Sequence, residues 1–173
     1  MLKTACRAEQ ATAEKNMETQ KQPKGAATRK NLAALLNEDL SREYQAIIAY
    51  VNYSKVLKGA AYMNIAGELE VHAKEELEHA LALSDHIDYL GEMPCVTPKP
   101  VKTSEKAEEM LRFDLDNETE TIRQYRRRVR QADELNEFAI AESLRQILIQ
   151  EQDHLTSLAT ALGIDSPDPG IAD

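Results

Sequence analysis

The sequence predicts an all-α fold, an antiparallel four-helix bundle made of two hairpins with a long crossover between helices 2 and 3. Three observations lead there. The 173 residues are 42% hydrophobic and 29% charged, and the chain is rich in Ala, Leu, Glu, Gln and Arg, all strong helix formers. Apolar residues recur at steps of three and four along four long segments. Gly and Pro separate the first three segments and end the fourth.

Residues 1–28 are polar and broken by Pro23 and Gly25, which predicts a flexible basic tail. Helix 1 is expected from Thr28, a suitable N-cap, to Leu57, ending at Lys58-Gly59. Helix 2 runs from about Ala60 to Leu90 and stops at Gly91, with Pro94 beyond it. The Pro-rich stretch CVTPKPVKTSE forms the crossover. Helix 3 is expected to begin near Ser104 and fade near Ala132. Helix 4 runs from about Leu135 to Leu162 and ends at Gly163, followed by a coil over 164–173. The bundle thus occupies 29–163.

Helices this long need apolar faces to pack. The inward stripes read Leu36, Leu40, Glu43, Ile47, Tyr50 in helix 1 and Ile65, Leu69, His72, Glu76, His79, Leu83, His86, Leu90 in helix 2. Helix 3 contributes Leu111, Leu115, Glu118, Ile122, Tyr125, Val129, and helix 4 Ile140, Leu144, Ile147, Glu151, His154, Leu158. A glutamate interrupts every stripe near its middle.

The spacing of those glutamates is informative. Glu43 to Glu76 and Glu118 to Glu151 are both 33 residues, with midpoints at Gly59-Ala60 and Glu134-Leu135, where the turns are expected. At 1.5 Å per residue each lies roughly 24 Å from its turn, so all four should share one layer. Four carboxylates in a dry core would protonate unless cations neutralise them. Glu-x-x-His sets both side chains on one helix face, and it occurs as Glu76-Leu-Glu-His79 and Glu151-Gln-Asp-His154. With 20 Glu in the chain, roughly one His in nine would have Glu three positions earlier by chance. Chance does not also supply two equal spacings centred on turns. One Glu from each of two helices plus two Glu-x-x-His pairs is a di-metal ligand set, suited to Fe or Mn, with Zn also able to bind.

Bulk properties agree. Residues 1–30 carry seven Lys/Arg against three Glu, a net of +4, which leaves −13 for the rest of a chain of net −9. An acidic body attracts cations. No run of 18 apolar residues spans a membrane, and MLKTACRAEQATAEKN has no secretory apolar region. Cys6 and Cys95 are too few for a disulfide framework. A cytoplasmic protein is expected.

Glu43 with Tyr50 seven residues later, EELEH, DLDNE ending at Glu118, and EQDHL together resemble the ferritin-like superfamily, and within it bacterioferritin, over about residues 30–162. The resemblance implies a ferroxidase that oxidises two Fe(II) with O₂ or H₂O₂ and stores or detoxifies iron in a homo-oligomer. Glu43 and His79 would be terminal ligands of one iron, Glu118 and His154 of the other, and Glu76 and Glu151 would bridge. Tyr50 would stand beside the site as a redox or supporting residue; as a reading of the residues alone, it equally caps a core layer.

Three departures refine this. Leu77 stands where bacterioferritins carry the haem-ligating Met, so no haem is expected by that route. Thr121 stands where rubrerythrin-type peroxidases carry an extra Glu. SPDPGIAD replaces the short fifth helix that helps close a 24-subunit shell, which leaves the oligomeric state open. The alternatives are a non-storage di-iron or di-manganese peroxidase or oxidase, and a DNA-protecting ferritin-like protein using its basic tail.

Other residues receive structural readings. His72 and His86 lie about 10 Å from His79 along the axis, beyond the same ion's reach. Glu75 and Glu78 flank the stripe and face outward or support ligands. RQYRRRVR, 123–130, complements a helix C-terminus or forms a subunit contact. Cys95 has no expected partner.

Overall fold

A computed structural model describes residues 28–170. The basic tail, Cys6 and the last three residues lie outside them. Four helices form: α1 (Arg29–Val56), α2 (Met63–Tyr89), α3 (Ala107–Glu134) and α4 (Phe138–Leu162), with a 3₁₀ turn at Ala60–Tyr62 before α2. α1 packs along α2 and α3 along α4, and the hairpins join through α1 against α3 and α2 against α4. The fold is the expected four-helix bundle with a long crossover.

The helix ends follow from local chemistry. The Thr28 hydroxyl accepts from the Asn31 N–H at 3.1 Å, filling one of the donors a helix start leaves free. α2, α3 and α4 end in the same way. At Gly91, Asn136 and Gly163 the chain turns left-handed, with φ of 87°, 60° and 66°. In each, the next N–H reaches back five residues: Glu92 to Ile87, Glu137 to Ala132 and Ile164 to Ala159. Asn136 explains why α3 continues to Glu134, past the expected end near Ala132: an Asn tolerates the left-handed turn that Gly marks at the other ends. α3 also starts three residues later than expected, because the Ser104 hydroxyl accepts from the Lys106 N–H and closes a turn ahead of the helix.

The crossover is clamped along α1 by residues four apart. Asn37 Nδ2 donates to the Met93 carbonyl at 3.1 Å, and Asn37 Oδ1 accepts from the Cys95 N–H at 2.6 Å. Ser41 donates to Thr97 O at 2.6 Å and accepts from the Lys99 N–H at 2.9 Å through its carbonyl. Gln45 donates to Pro100 O at 2.6 Å, and the Tyr53 hydroxyl donates to Lys102 O. Cys95 also donates to the Asn37 carbonyl at 3.3 Å, a partner the sequence did not reveal.

The buried stripes match expectation near the middle of each helix, except that Ile47 in α1 is only half-buried, and depart at the ends. In α2, Ile87 is buried while His86 and Leu90 are half-buried, so the inward stripe does not continue through them. In α3, Arg128 rather than Val129 takes the core position. The reason is Asp39 on α1, whose carboxylate accepts from Arg128 Nε at 2.6 Å. After Gly163, residues 164–170 are not helical. They are held to α3 by Arg123 donating to Pro169 O and Arg126 donating to Gly170 O, both at 2.8 Å. Those contacts, with buried Arg128, give RQYRRRVR a structural role. Among the described residues no helix is long and apolar enough to cross a membrane.

Candidate metal centre

The six residues expected as ligands meet in one layer. Glu43, Glu76, His79, Glu118, Glu151 and His154 are each no more than 2% exposed. They form two overlapping groups, Glu43-Glu76-His79-Glu151 and Glu76-Glu118-Glu151-His154, each with donor atoms within 4.8 Å of one another. Glu76 and Glu151 belong to both groups, so two ions held here would share them.

Both histidines turn the same nitrogen inward. His79 Nδ1 lies 3.0 Å from Glu76, 3.2 Å from Glu151 and 3.4 Å from Glu43. His154 Nδ1 lies 3.0 Å from Glu76 and 3.7 Å from Glu151. Their outward Nε2 atoms have acceptors: Gln150 Oε1 at 2.9 Å for His79 and Glu75 Oε2 at 2.8 Å for His154. An Nε2–H donated outward leaves the Nδ1 lone pair facing the cluster, as a metal ligand requires. On the carboxylate side, the Tyr50 hydroxyl donates to Glu118 Oε1 and the Tyr125 hydroxyl to Glu43 Oε1.

The remaining atoms test whether a metal fits. Glu43 Oε2, Glu76 Oε1, Glu118 Oε2, both Glu151 oxygens and His154 Nδ1 are buried without an aligned hydrogen bond. Some of these atoms approach others closely, but none is directed as a hydrogen bond would be. Buried polar atoms are ordinarily satisfied. The six atoms named here all belong to carboxylate or imidazole donors of the two overlapping groups, so the donor set fits divalent cations.

The ionisation of these groups says the same. Burial, reinforced by the charges of Glu76 and Glu151, raises Glu43 well above the carboxylate range. Burial and the same two neighbours do this to Glu118. Burial also opposes the charged forms of Glu76 and Glu151, but the close approach of the His79 and His154 imidazoles holds both below the usual value. For the histidines burial favours neutrality, yet the surrounding carboxylates win, raising His79 strongly and His154 to about 10. Protons and cations thus compete for the same donors.

A narrow cleft between α1 and α3, lined by Arg42, Gln45, Ala46, Asn117 and Thr121, reaches Glu43, Glu76, Glu118 and Glu151. Leu77 is half exposed on the opposite, outward face of α2. His72 is buried, stacks on His154 with ring centroids 4.1 Å apart, and meets Tyr50 edge-on at 5.6 Å. Burial, with His154 beside it, lowers His72 to about 4. His86 stays outside the cluster.

Tyr125 and Gln150 were not singled out from the sequence, although a signal was present. Every site residue on the first hairpin recurs 75 positions later: Glu43 and Glu118, Tyr50 and Tyr125, Glu76 and Glu151, His79 and His154. Glu75 and Gln150 follow the same offset, as do the buried pair Asp39 and Asp114. The two hairpins are quasi-repeats facing each other across the cluster.

The fold and this site define a four-helix-bundle protein with two overlapping carboxylate–histidine groups able to hold metal. The chain belongs to the ferritin-like domain family, which matches residues 33–165. It is 27% identical to bacterioferritin of Mycobacterium leprae over 131 residues, 75% of this chain and 82% of that protein. A ferritin-like, diiron-carboxylate protein of Bacillus anthracis is similar at 34% identity with a TM-score of 0.74, covering 78% of this chain and 96% of the other. A dodecameric thioferritin, the bacterioferritin-related protein of Bacteroides fragilis, aligns with a TM-score of 0.73 at 26% identity, covering 81% and 89%.

Proposed function

We propose that the protein is a bacterioferritin-like ferroxidase. Glu43, Glu76, His79, Glu118, Glu151 and His154 hold two Fe(II), which are oxidised by O₂ or H₂O₂ in the service of iron storage and detoxification. The observation that carries this reading is that Glu76 and Glu151 belong to both four-residue groups. Isolated mononuclear sites would not need shared carboxylates, whereas a pair of ions acting together does. Iron in such a pair supplies electrons from both ions to one oxidant.

The chain's own residues have definable tasks. The buried pocket excludes bulk water and so strengthens electrostatic binding of the cations. Tyr50 and Tyr125 each fix one oxygen of a terminal glutamate, leaving the other free toward the cluster. Glu75 and Gln150 hold the Nε2 protons away from it. The cleft past Arg42 and Thr121 suits small species such as Fe(II), O₂ and H₂O₂. The likeness to bacterioferritin and to a diiron-carboxylate protein favours iron, with Mn or Zn compatible with the same donors.

The protein functions as a homo-oligomer in this reading. Ile48, Val51 and Val56 form an exposed apolar stripe on α1, a surface that a second subunit would cover.

Metal-free protein titrated anaerobically with Fe(II), then exposed to air while absorbance and particle size are followed, tests the proposal. Two Fe(II) bound per chain, rapid oxidation and continued uptake into a large particle are expected. Two irons in a small oligomer without further uptake would point instead to a di-iron oxidase or peroxidase. Glu76→Ala removes a shared donor and should abolish fast oxidation; unchanged kinetics would sink the assignment.

A further inference from the structure

The two halves of the centre agree in all six carboxylate and imidazole donors and both tyrosines, but differ behind the histidines. His154 Nε2 faces the Glu75 carboxylate at 2.8 Å, and His79 Nε2 faces the Gln150 amide oxygen at 2.9 Å. The two acceptors stand at equivalent positions, each directly before a shared glutamate. The distances are nearly equal, so geometry does not separate the two contacts. Charge does: Glu75 brings a carboxylate and Gln150 a neutral amide. A second difference falls on the same side. His72 stacks on His154, whereas Ile147 occupies the matching position in the other hairpin.

We propose that Glu75 is a positioning residue that makes the two metal positions unequal, so that a divalent ion fills the position bounded by Glu118 and His154 before the one bounded by Glu43 and His79. The proposal rests on the di-metal reading above. A carboxylate accepting the Nε2–H draws that proton outward and raises the donor strength of Nδ1, while adding negative charge near the ion. A neutral amide fixes the ring with far less effect on its basicity. Stacking on His72 also restricts the His154 ring to the plane in which Nδ1 faces the cluster. Changes to such supporting partners alter metal affinity about 10- to 100-fold. The Glu75 side chain is 30% exposed, and water weakens its field, so the lower figure is the expected one.

The experiment is anaerobic titration of the metal-free full-length protein with Co(II), read by calorimetry and by visible absorbance, without any turnover. The natural chain should bind in two steps separated by about tenfold. Glu75→Gln should weaken the tighter step about tenfold and leave the weaker one in place, giving two near-equal steps. Gln150→Glu should tighten the weaker step by a similar factor, and it carries the test alone if Glu75→Gln fails to fold. The double variant, with the two residues exchanged, should restore two separated steps.

Two unchanged steps in Glu75→Gln, or in Gln150→Glu, would overturn the proposal while leaving the di-metal reading intact. A third ion lost on Glu75→Gln would also overturn it, because Glu75 would then be a ligand together with His72 and His154, which lie within 4.8 Å of one another. Failure of the natural chain to bind Co(II) at all would remove the di-metal reading itself.

Discussion

Asp114 sits in an environment that disfavours its charged form. It is buried on α3 one turn before Glu118, and its Oδ2 has no hydrogen-bond partner. Its counterpart Asp39 holds Arg128, but burial outweighs even that guanidinium and leaves Asp39 at about 6. At the position equivalent to Arg128 the first hairpin carries Tyr53, so among the described residues Asp114 lacks the guanidinium that Asp39 has. Burial, with the Glu76 charge adding to it, raises Asp114 well above the carboxylate range. A carboxyl with a raised folded pKa contributes fully below its unfolded value of about 3.9 and loses that contribution as pH rises toward the folded value. Asp114→Asn should therefore gain stability relative to the natural chain as pH rises from 5 to 8 in metal-free melts. A constant difference across that range would mean that Asp114 does not titrate. Tyr125 makes a complementary case. Tyr125→Phe leaves Glu43 Oε1 without its donor and should cost about 1–2 kcal/mol in urea denaturation of the metal-free protein.

At the scale of elements, the crossover shows how a stretch without regular structure is held in place. Asn37, Ser41, Gln45 and Tyr53 share one face of α1, and each contacts backbone of the crossover. Asn37→Ala removes the acceptor of the Cys95 N–H, a bond worth about 1 kcal/mol, so that amide should exchange with solvent several-fold faster. Co(II) binding should stay unchanged, since no part of the crossover lines the centre. Equal exchange in both proteins would mean that other contacts hold the segment. The N-cap is a second local lever. Thr28→Ala should cost about 1 kcal/mol of stability, read by thermal melting.

For the whole molecule, the decisive quantity is the exchange of protons for cations. Burial raises the Glu43 and Glu118 carboxyls, the surrounding carboxylates raise both histidines, and Glu76 and Glu151 are held low. Loading divalent ions should therefore release protons, measurable by pH-stat. Because those protons compete with the metal, affinity should fall steeply as pH is lowered from 8 to 6. Loading without any proton release would contradict this competition. Bound metal should also raise the melting temperature in proportion to the logarithm of its concentration, because it binds only the folded chain.

The sequence by itself determined the helices, the crossover and the layer of six donors. Those rest on local period and on equal spacing from a turn, properties that a helical hairpin converts directly into height and facing. The tertiary structure decided what surrounds that layer. Tyr125 finds Glu43, Tyr50 finds Glu118, Arg128 finds Asp39, and His154 turns Nε2 toward Glu75, each pairing joining residues 68 to 89 positions apart in the chain. Helical period places a residue on a face but does not name the side chain opposite. That depends on how two hairpins dock, which also turned Arg128 inward where the period favoured Val129. The exchange of Glu75 for Gln150 between otherwise matched halves was written in the sequence, yet its meaning appeared only once each was seen behind its histidine.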